Sequence, residues 1–284
     1  MELLRGVGPL LLAVAAALFL DRAMARRGAL PPRLADPFAP DAPPRRTLAL
    51  LVLAGILWVA AFAPLASLGS PPPDPSLLSI PRLFLLHGLL ALALAAWYAI
   101  GYQPRRGDCD WVEAYGLRAA APGRELAVGV GIGLAIWLSV LAVLLLLGGL
   151  IALLGGRDAL PDQPPEVVLW IGGLPVWARA AVALSAGTVE EVFFRGFLQP
   201  RVGIALSTLL FALAHLGYGQ PFMLVGVTLL SLCYAELARR RRSVWAPIAA
   251  HAVFDLVQLL IVVPLVLRAI DEGFTPELAA ALRP

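Results

Sequence analysis

Residues 187–197 read GTVEEVFFRGF: two adjacent carboxylates, Glu190 and Glu191, and one arginine, Arg195, set between apolar runs. The surrounding chain decides what solvent they face. Of 284 residues, 60% are hydrophobic and 14% charged, and the mean hydropathy is +0.83. Soluble domains run at roughly 45–50% apolar and 25% charged, so the composition points to a polytopic membrane protein. An ionisable side chain at the bilayer centre costs at least ~2.5–3.5 kcal/mol on insertion scales. Three such groups within six residues need a reason.

Charge and cysteine usage exclude some classes. All 22 basic residues are arginine. Together with abundant Ala, Gly and Pro this reads as GC-rich codon usage, so the pI of about 9.2 implies no nucleic-acid partner. Cys109 falls in a loop and Cys233 in an apolar segment, which makes neither a disulfide framework nor a zinc-cysteine motif.

A spanning helix needs about 20 mostly apolar residues. The candidates are about Val7–Ala25, Thr47–Leu68, Ile80–Tyr102, Glu125–Leu154, Pro175–Pro200, Val202–Leu216, Pro221–Ala238 and Val244–Leu267. The expected fold is all-α, with about eight transmembrane helices and no internal repeat. Proline-rich stretches, PPPDPSLLSIP (71–81) and LPDQPPE (160–166), mark turns. The AMA of residues 23–25 mimics a signal-peptide cleavage site, but Arg26 and Arg27 follow it directly, which favours a retained helix. Arginines crowd the loops after the first, third and seventh segments, the last being RRRR (239–242). The positive-inside rule makes those loops cytoplasmic and puts both termini outside.

Asp21, Arg179 and Glu236 fall at helix ends, where long side chains reach the interface. Deeper in apolar runs lie Glu190, Glu191, Arg195, His215, His251, Asp255 and His87. Glu191 and Arg195 are spaced i,i+4 and share a face, whereas Glu190 is rotated by about 100° from Glu191. The two carboxylates therefore have different jobs: one paired with Arg195, the other turned to a cavity as a candidate general base. In FALAH, Phe211 lies one turn before His215; in HAVFD, His251 and Asp255 are again i,i+4. At 1.5 Å per residue, Glu190 and His251 both sit about 14 Å below the basic loops, close to the bilayer centre. One polar cluster accounts for all of them. Such a cluster can hold a water for attack on a carbonyl and stabilise the oxyanion, or bind a divalent metal such as zinc. The soluble zincin signature H-E-x-x-H is absent. His87, in LFLLHGLL, reads as a packing hydrogen bond, with cavity lining as the alternative. The glycines of GVGIG (129–133) suit close helix packing.

The ordered motifs EEVFFR, FALAH and HAVFD resemble the CPBP family, which groups CAAX prenyl endopeptidases with bacterial bacteriocin-processing and immunity proteins. The resemblance covers about Pro175–Leu267. It implies an intramembrane endopeptidase in which Glu190 and His215 activate water, His251 and Asp255 stabilise the oxyanion, and Glu191, Arg195 and Phe211 support the geometry. No cofactor is implied, with zinc as the alternative. Asp255 stands where the eukaryotic-type enzymes carry Asn, which fits the bacterial branch better. The expected organisation is residues 1–165, N-terminal helices with Pro- and Arg-rich loops, and 166–284, a C-terminal four-helix catalytic domain. The expected partners are a membrane-associated protein or peptide substrate and the lipid bilayer of a bacterial inner membrane. A non-catalytic immunity or scaffold protein, and a proton-coupled transporter, are the alternatives.

Overall fold

The computed structural model describes residues 2–28, 30, 42–66, 79–101, 110–156, 160, 164–218 and 220–271; Cys109 lies outside them. Every regular element among them is helical. The α-helices are α1 (Glu2–Arg26), α2 (Ala42–Leu57), α3 (Ala63–Ala66), α4 (Ile80–Gly101), α5 (Trp111–Ala114), α6 (Pro122–Gly155) and α7 (Glu166–Gly172). After them come α8 (Val176–Glu191), α9 (Gln199–Val202), α10 (Ile204–Ala214), α11 (Pro221–Arg241), α12 (Trp245–Val257) and α13 (Val263–Asp271). Three π-helical stretches, Trp58–Phe62, Val192–Leu198 and Gln258–Val262, join α2 to α3, α8 to α9 and α12 to α13.

Among the described residues, five stretches are long and apolar enough to cross a membrane: Val7–Arg26, Ile80–Ile100, Pro122–Gly155, Phe222–Arg241 and Trp245–Ala269. The fold is that of an all-α polytopic membrane protein. Leucines 145, 146, 150, 153 and 154 of α6 stand exposed on its outer face, as lipid-facing residues do. The remaining expected segments take other forms. Thr47–Leu68 is helical over Ala42–Ala66 but widened by the π turn at Trp58–Phe62. Pro175–Pro200 changes from α to π within its charged motif. Val202–Leu216 shortens to α10, whose 11 residues reach about 16 Å, half of a ~30 Å hydrocarbon core. Gly203, at φ 91°, makes the turn into α10. A side chain there would be strained.

Packing runs α1–α2–α4–α8–α12–α6, with α11 against α6, α10 and α12. Small residues set the closest crossings. A Cβ on Gly133 would lie 2.8 Å from Ala250 Cα, and one on Gly129 would overlap Ala246 O, so two of the GVGIG glycines let α6 rest on the α12 backbone. The middle one, Gly131, meets nothing within 4 Å. On the opposite flank, a Cβ on Gly187 of α8 would lie 2.7 Å from Ala252 N. In a bilayer, where helix association depends on packing rather than on hydrophobic burial, such contacts are the main adhesive.

The arginine-rich segments gather at one end of the bundle. Arg241 of α11 grips Glu125 of α6 through two hydrogen bonds. Val244 N donates to Gly116 O at 3.0 Å, and Arg27 lies against Gly203. Asp21 binds Arg46 at 2.6 Å and ties α1 to α2.

Candidate active site

Two apolar clusters meet at the α8–α12 crossing. One holds Phe193, Phe194, Phe197, Phe211, Trp97 and Tyr115; the other holds Tyr234, Ile136, Val140, Ala246 and Ala250. The polar motif sits between them. The change of helix type begins immediately after Glu191, and all residues from Phe193 to Leu198 are buried. A helix buried on every side has no polar face, so its loosened carbonyls need side-chain donors. Ser207 Oγ donates to Phe194 O at 2.8 Å, and Arg201 donates to Phe197 O. The π turn at Gln258–Val262 is treated alike: Arg179 donates to Leu259 O at 3.0 Å. Arg179, expected to be an interfacial end residue, therefore has an internal task. Irregular backbone at membrane depth requires such partners.

Glu191 is wholly buried. Its Oε2 lies 3.1 Å from Arg195 Nε, and its Oε1 lies 2.8 Å from His251 Nδ1. Arg195 Nη2 donates to Ser231 Oγ and O on α11. Its guanidinium also stands 4.4 Å from the centre of the Phe211 ring. Phe211 in turn stacks on His215, with ring centres 4.5 Å apart. Phe211 is thus the spacer between the arginine and the histidine, which explains why it lies one turn before His215. Tyr234 stacks on His251 at 5.0 Å.

His215 is the residue that ends α10, at φ −100° and ψ 5°. Its Nδ1 lies 2.8 Å from Phe211 O, one of the last-turn carbonyls that no helical N–H reaches. A carbonyl only accepts, so Nδ1 carries the proton and Nε2 is directed inward. The same logic assigns His251: Glu191 takes its Nδ1–H, and Nε2 faces Asp255 Oδ2 at 3.5 Å.

Glu190 faces elsewhere. Its Oε2 lies 4.0 Å from His215 Nε2, is buried, and takes no hydrogen bond from any described residue. Its Oε1 lies 3.4 Å from His87 Nε2. The structure therefore brings together Glu190, His215, Glu191, Arg195, His251, Asp255 and Phe211, and adds His87 from α4. The packing hydrogen bond expected for His87 exists, to Ser185 Oγ at 2.9 Å, yet the ring also reaches Glu190. The sequence offered this only as the cavity-lining alternative, because a lone histidine with no polar residue three or four positions away does not name its partner.

A tetrahedral zinc ion with ~2.0 Å bonds needs donors about 3.3 Å apart. Glu190 Oε1 and His87 Nε2 meet that spacing, but Glu190 and His215 at 4.0 Å do not. Among the described residues, no three His, Cys, Asp or Glu side chains converge on one metal position.

Residues 172–257 match the family model described as type II CAAX prenyl endopeptidase, Rce1-like. The match contains all three motifs and supports the CPBP/CAAX protease family, a family of intramembrane endopeptidases, for this part of the chain. No curated protein and no solved structure gave a significant match.

Proposed function

We propose that this chain, with its Rce1-like segment at 172–257, hydrolyses a peptide bond of a membrane-anchored substrate using a water activated by Glu190. One observation carries the reading. Glu190 Oε2, a buried acceptor with no described donor, lies 4.0 Å from His215 Nε2, whose partner nitrogen is already held by Phe211 O. At 4.0 Å the two atoms are too far apart for a direct bond and are spaced so that one water can lie between them.

The chemistry follows from these atoms. The water gives one proton to Glu190 Oε2, and the oxygen's electron pair forms a bond to the scissile carbonyl carbon. The carbonyl oxygen becomes an oxyanion. In its doubly protonated state His251 donates Nε2–H to that oxyanion; the contact of Nε2 with Asp255 Oδ2, at 3.5 Å, is at the outer edge of a hydrogen bond and yields to the stronger acceptor. Glu191, 2.8 Å from Nδ1, supplies the compensating charge. The C–N bond then breaks, and Glu190 returns its proton to the leaving amine. Glu191, Arg195 and Phe211 hold His251 and His215 in place and touch no reacting atom.

The substrate class is a lipidated or hydrophobic C-terminal tail, or a leader peptide, presented from the bilayer. CAAX-type processing is one form of it, and clipping of C-terminal hydrophobic anchors in protein sorting is another. Asp255 fits the bacterial branch better than the eukaryotic one, and the positive-inside rule favours an arginine-rich end facing the cytoplasm. Residues 166–284 form the catalytic unit and 1–165 the accompanying helices.

The test uses the full chain in liposomes with two probes. One is a quenched fluorescent peptide ending in S-farnesylated Cys-aliphatic-aliphatic-X; the other is a protein with a hydrophobic C-terminal anchor. Wild type is expected to cleave at least one of them, and folded Glu190→Ala and His215→Ala to cleave neither. Cleavage at the wild-type rate by either variant rejects the reading.

A further inference from the structure

His87 stands on α4, about 85 residues before the matched segment begins, and no motif points to it. Its ring is held from both sides. Ser185 Oγ, on α8, donates to Val182 O at 3.0 Å. A hydroxyl has one proton, so Ser185 accepts from His87 Nδ1–H across the 2.9 Å between them. The Nδ1–H of His87 is therefore held by α8 itself, and Nε2 faces Glu190 Oε1 at 3.4 Å.

Two lone pairs cannot face each other at that distance without repulsion. One proton must lie on the line between Nε2 and Oε1. We infer that His87, carrying a proton on each ring nitrogen, is a positioning residue of the Glu190 centre: Ser185 accepts its Nδ1–H, and its Nε2–H holds Oε1, fixes the plane of the carboxylate, and turns Oε2 toward His215 and the reacting water. A separation of 3.4 Å is at the outer edge of a hydrogen bond, and such contacts tighten when substrate closes a site. The inference rests on the proteolytic reading above and extends it, because the centre then includes a side chain from outside residues 172–257. Helices α4 and α8 pack directly, so Ser185–His87–Glu190 is one connected unit, its two α8 residues five positions apart.

The two ring nitrogens can be tested separately. Asn places its amide near the position of Nδ1, and Gln near that of Nε2. His87→Asn keeps the Ser185 bond and loses the Glu190 contact; His87→Gln does the reverse. The readout is kcat and KM on whichever probe the wild type cleaves, with the pH–rate profile. The expected result is a fall in kcat of tenfold or more for His87→Asn, with KM within twofold and an altered pH profile. His87→Gln is expected to retain activity within about fivefold. The opposite ranking, Asn active and Gln inactive, makes His87 a packing residue and overturns the inference. Both variants at the wild-type rate overturn it too, whereas wild-type-rate cleavage by Glu190→Ala rejects the proteolytic reading instead.

A second measurement needs no turnover. The chain has three histidines, so ring-15N-histidine labelling of the full chain in detergent gives three assignable pairs of resonances. Glu190→Gln is expected to move the His87 Nε2 resonance and Ser185→Ala the Nδ1 resonance. An Nε2 resonance that ignores Glu190→Gln overturns the inference whatever the enzyme cleaves.

Discussion

Glu191 Oε1 lies 2.8 Å from His251 Nδ1 although the two residues are 60 positions apart. The bond crosses the α8–α12 interface beside the contact of Gly187 with Ala252. It divides the labour of the two neighbouring carboxylates, since Glu191 is committed to Arg195 and His251 while Glu190 is turned to the other two histidines.

That division predicts opposite phenotypes for the same substitution. Glu191→Gln removes one partner of a buried charge pair, a change that typically costs about 3–5 kcal/mol. It should lower the unfolding temperature in detergent and the yield of folded protein. Glu190→Gln should leave the thermal transition within a few degrees while abolishing cleavage, a loss of at least 10³-fold in kcat or about 4 kcal/mol in barrier. If Glu190→Gln unfolds the protein and Glu191→Gln does not, the assignment is reversed.

The helix crossings make a matched set of glycine changes informative. Gly187→Ala and Gly133→Ala force a methyl group against the backbones of Ala252 and Ala250. Overpacking of this kind costs about 1–3 kcal/mol, and activity should fall with stability because the crossing sets the Glu191–His251 distance. Gly131→Ala, on the same helix as Gly133, meets open space and gains helix propensity of roughly 0.5–1 kcal/mol. Thermal melts of the three variants decide the point: equal effects at 131 and 133 would contradict the packing described.

Asp255 faces His251 Nε2 without a close hydrogen bond. Asn in its place keeps the side-chain shape and adds an N–H donor toward a developing oxyanion. Asp255→Asn should therefore retain kcat within about tenfold, a barrier change under ~1.4 kcal/mol, and Asp255→Ala should lose more. Steady-state kinetics of the two variants test this, and a collapse of Asp255→Asn to the level of Glu190→Gln would show that its negative charge is needed.

The donor geometry predicts indifference to chelators. Protein incubated with EDTA or 1,10-phenanthroline should keep its rate, and elemental analysis should find well under one equivalent of zinc, iron or manganese per chain. Loss of activity restored by one added metal would mean that the donors rearrange to bind it.

What each level of description supplied follows from the range of the forces involved. Helices were legible because a segment in hydrocarbon must satisfy its backbone groups internally, so apolar length alone marks a span such as Ile80–Ile100. The Glu191–Arg195 contact was legible because it lies within one turn of one helix, and the separation of Glu190 from Glu191 follows from the same 3.6-residue period. The π turn at Val192–Leu198 and the shortness of α10 were not, since both depend on neighbours that accept or block a carbonyl. Glu191–His251 and Glu190–His87 were illegible for a deeper reason. They join residues on different helices: the α8–α12 face that carries Glu191–His251 is set by Gly187 on Ala252, and Glu190–His87 depends on the packing of α8 on α4. In GTVEEVFFRGF, the sequence alone established which residues are too costly to be incidental. Only the packed helices established that Glu191 is turned to Arg195 and His251 and Glu190 to His87 and His215, because direction in space is a property of the crossing and not of the chain.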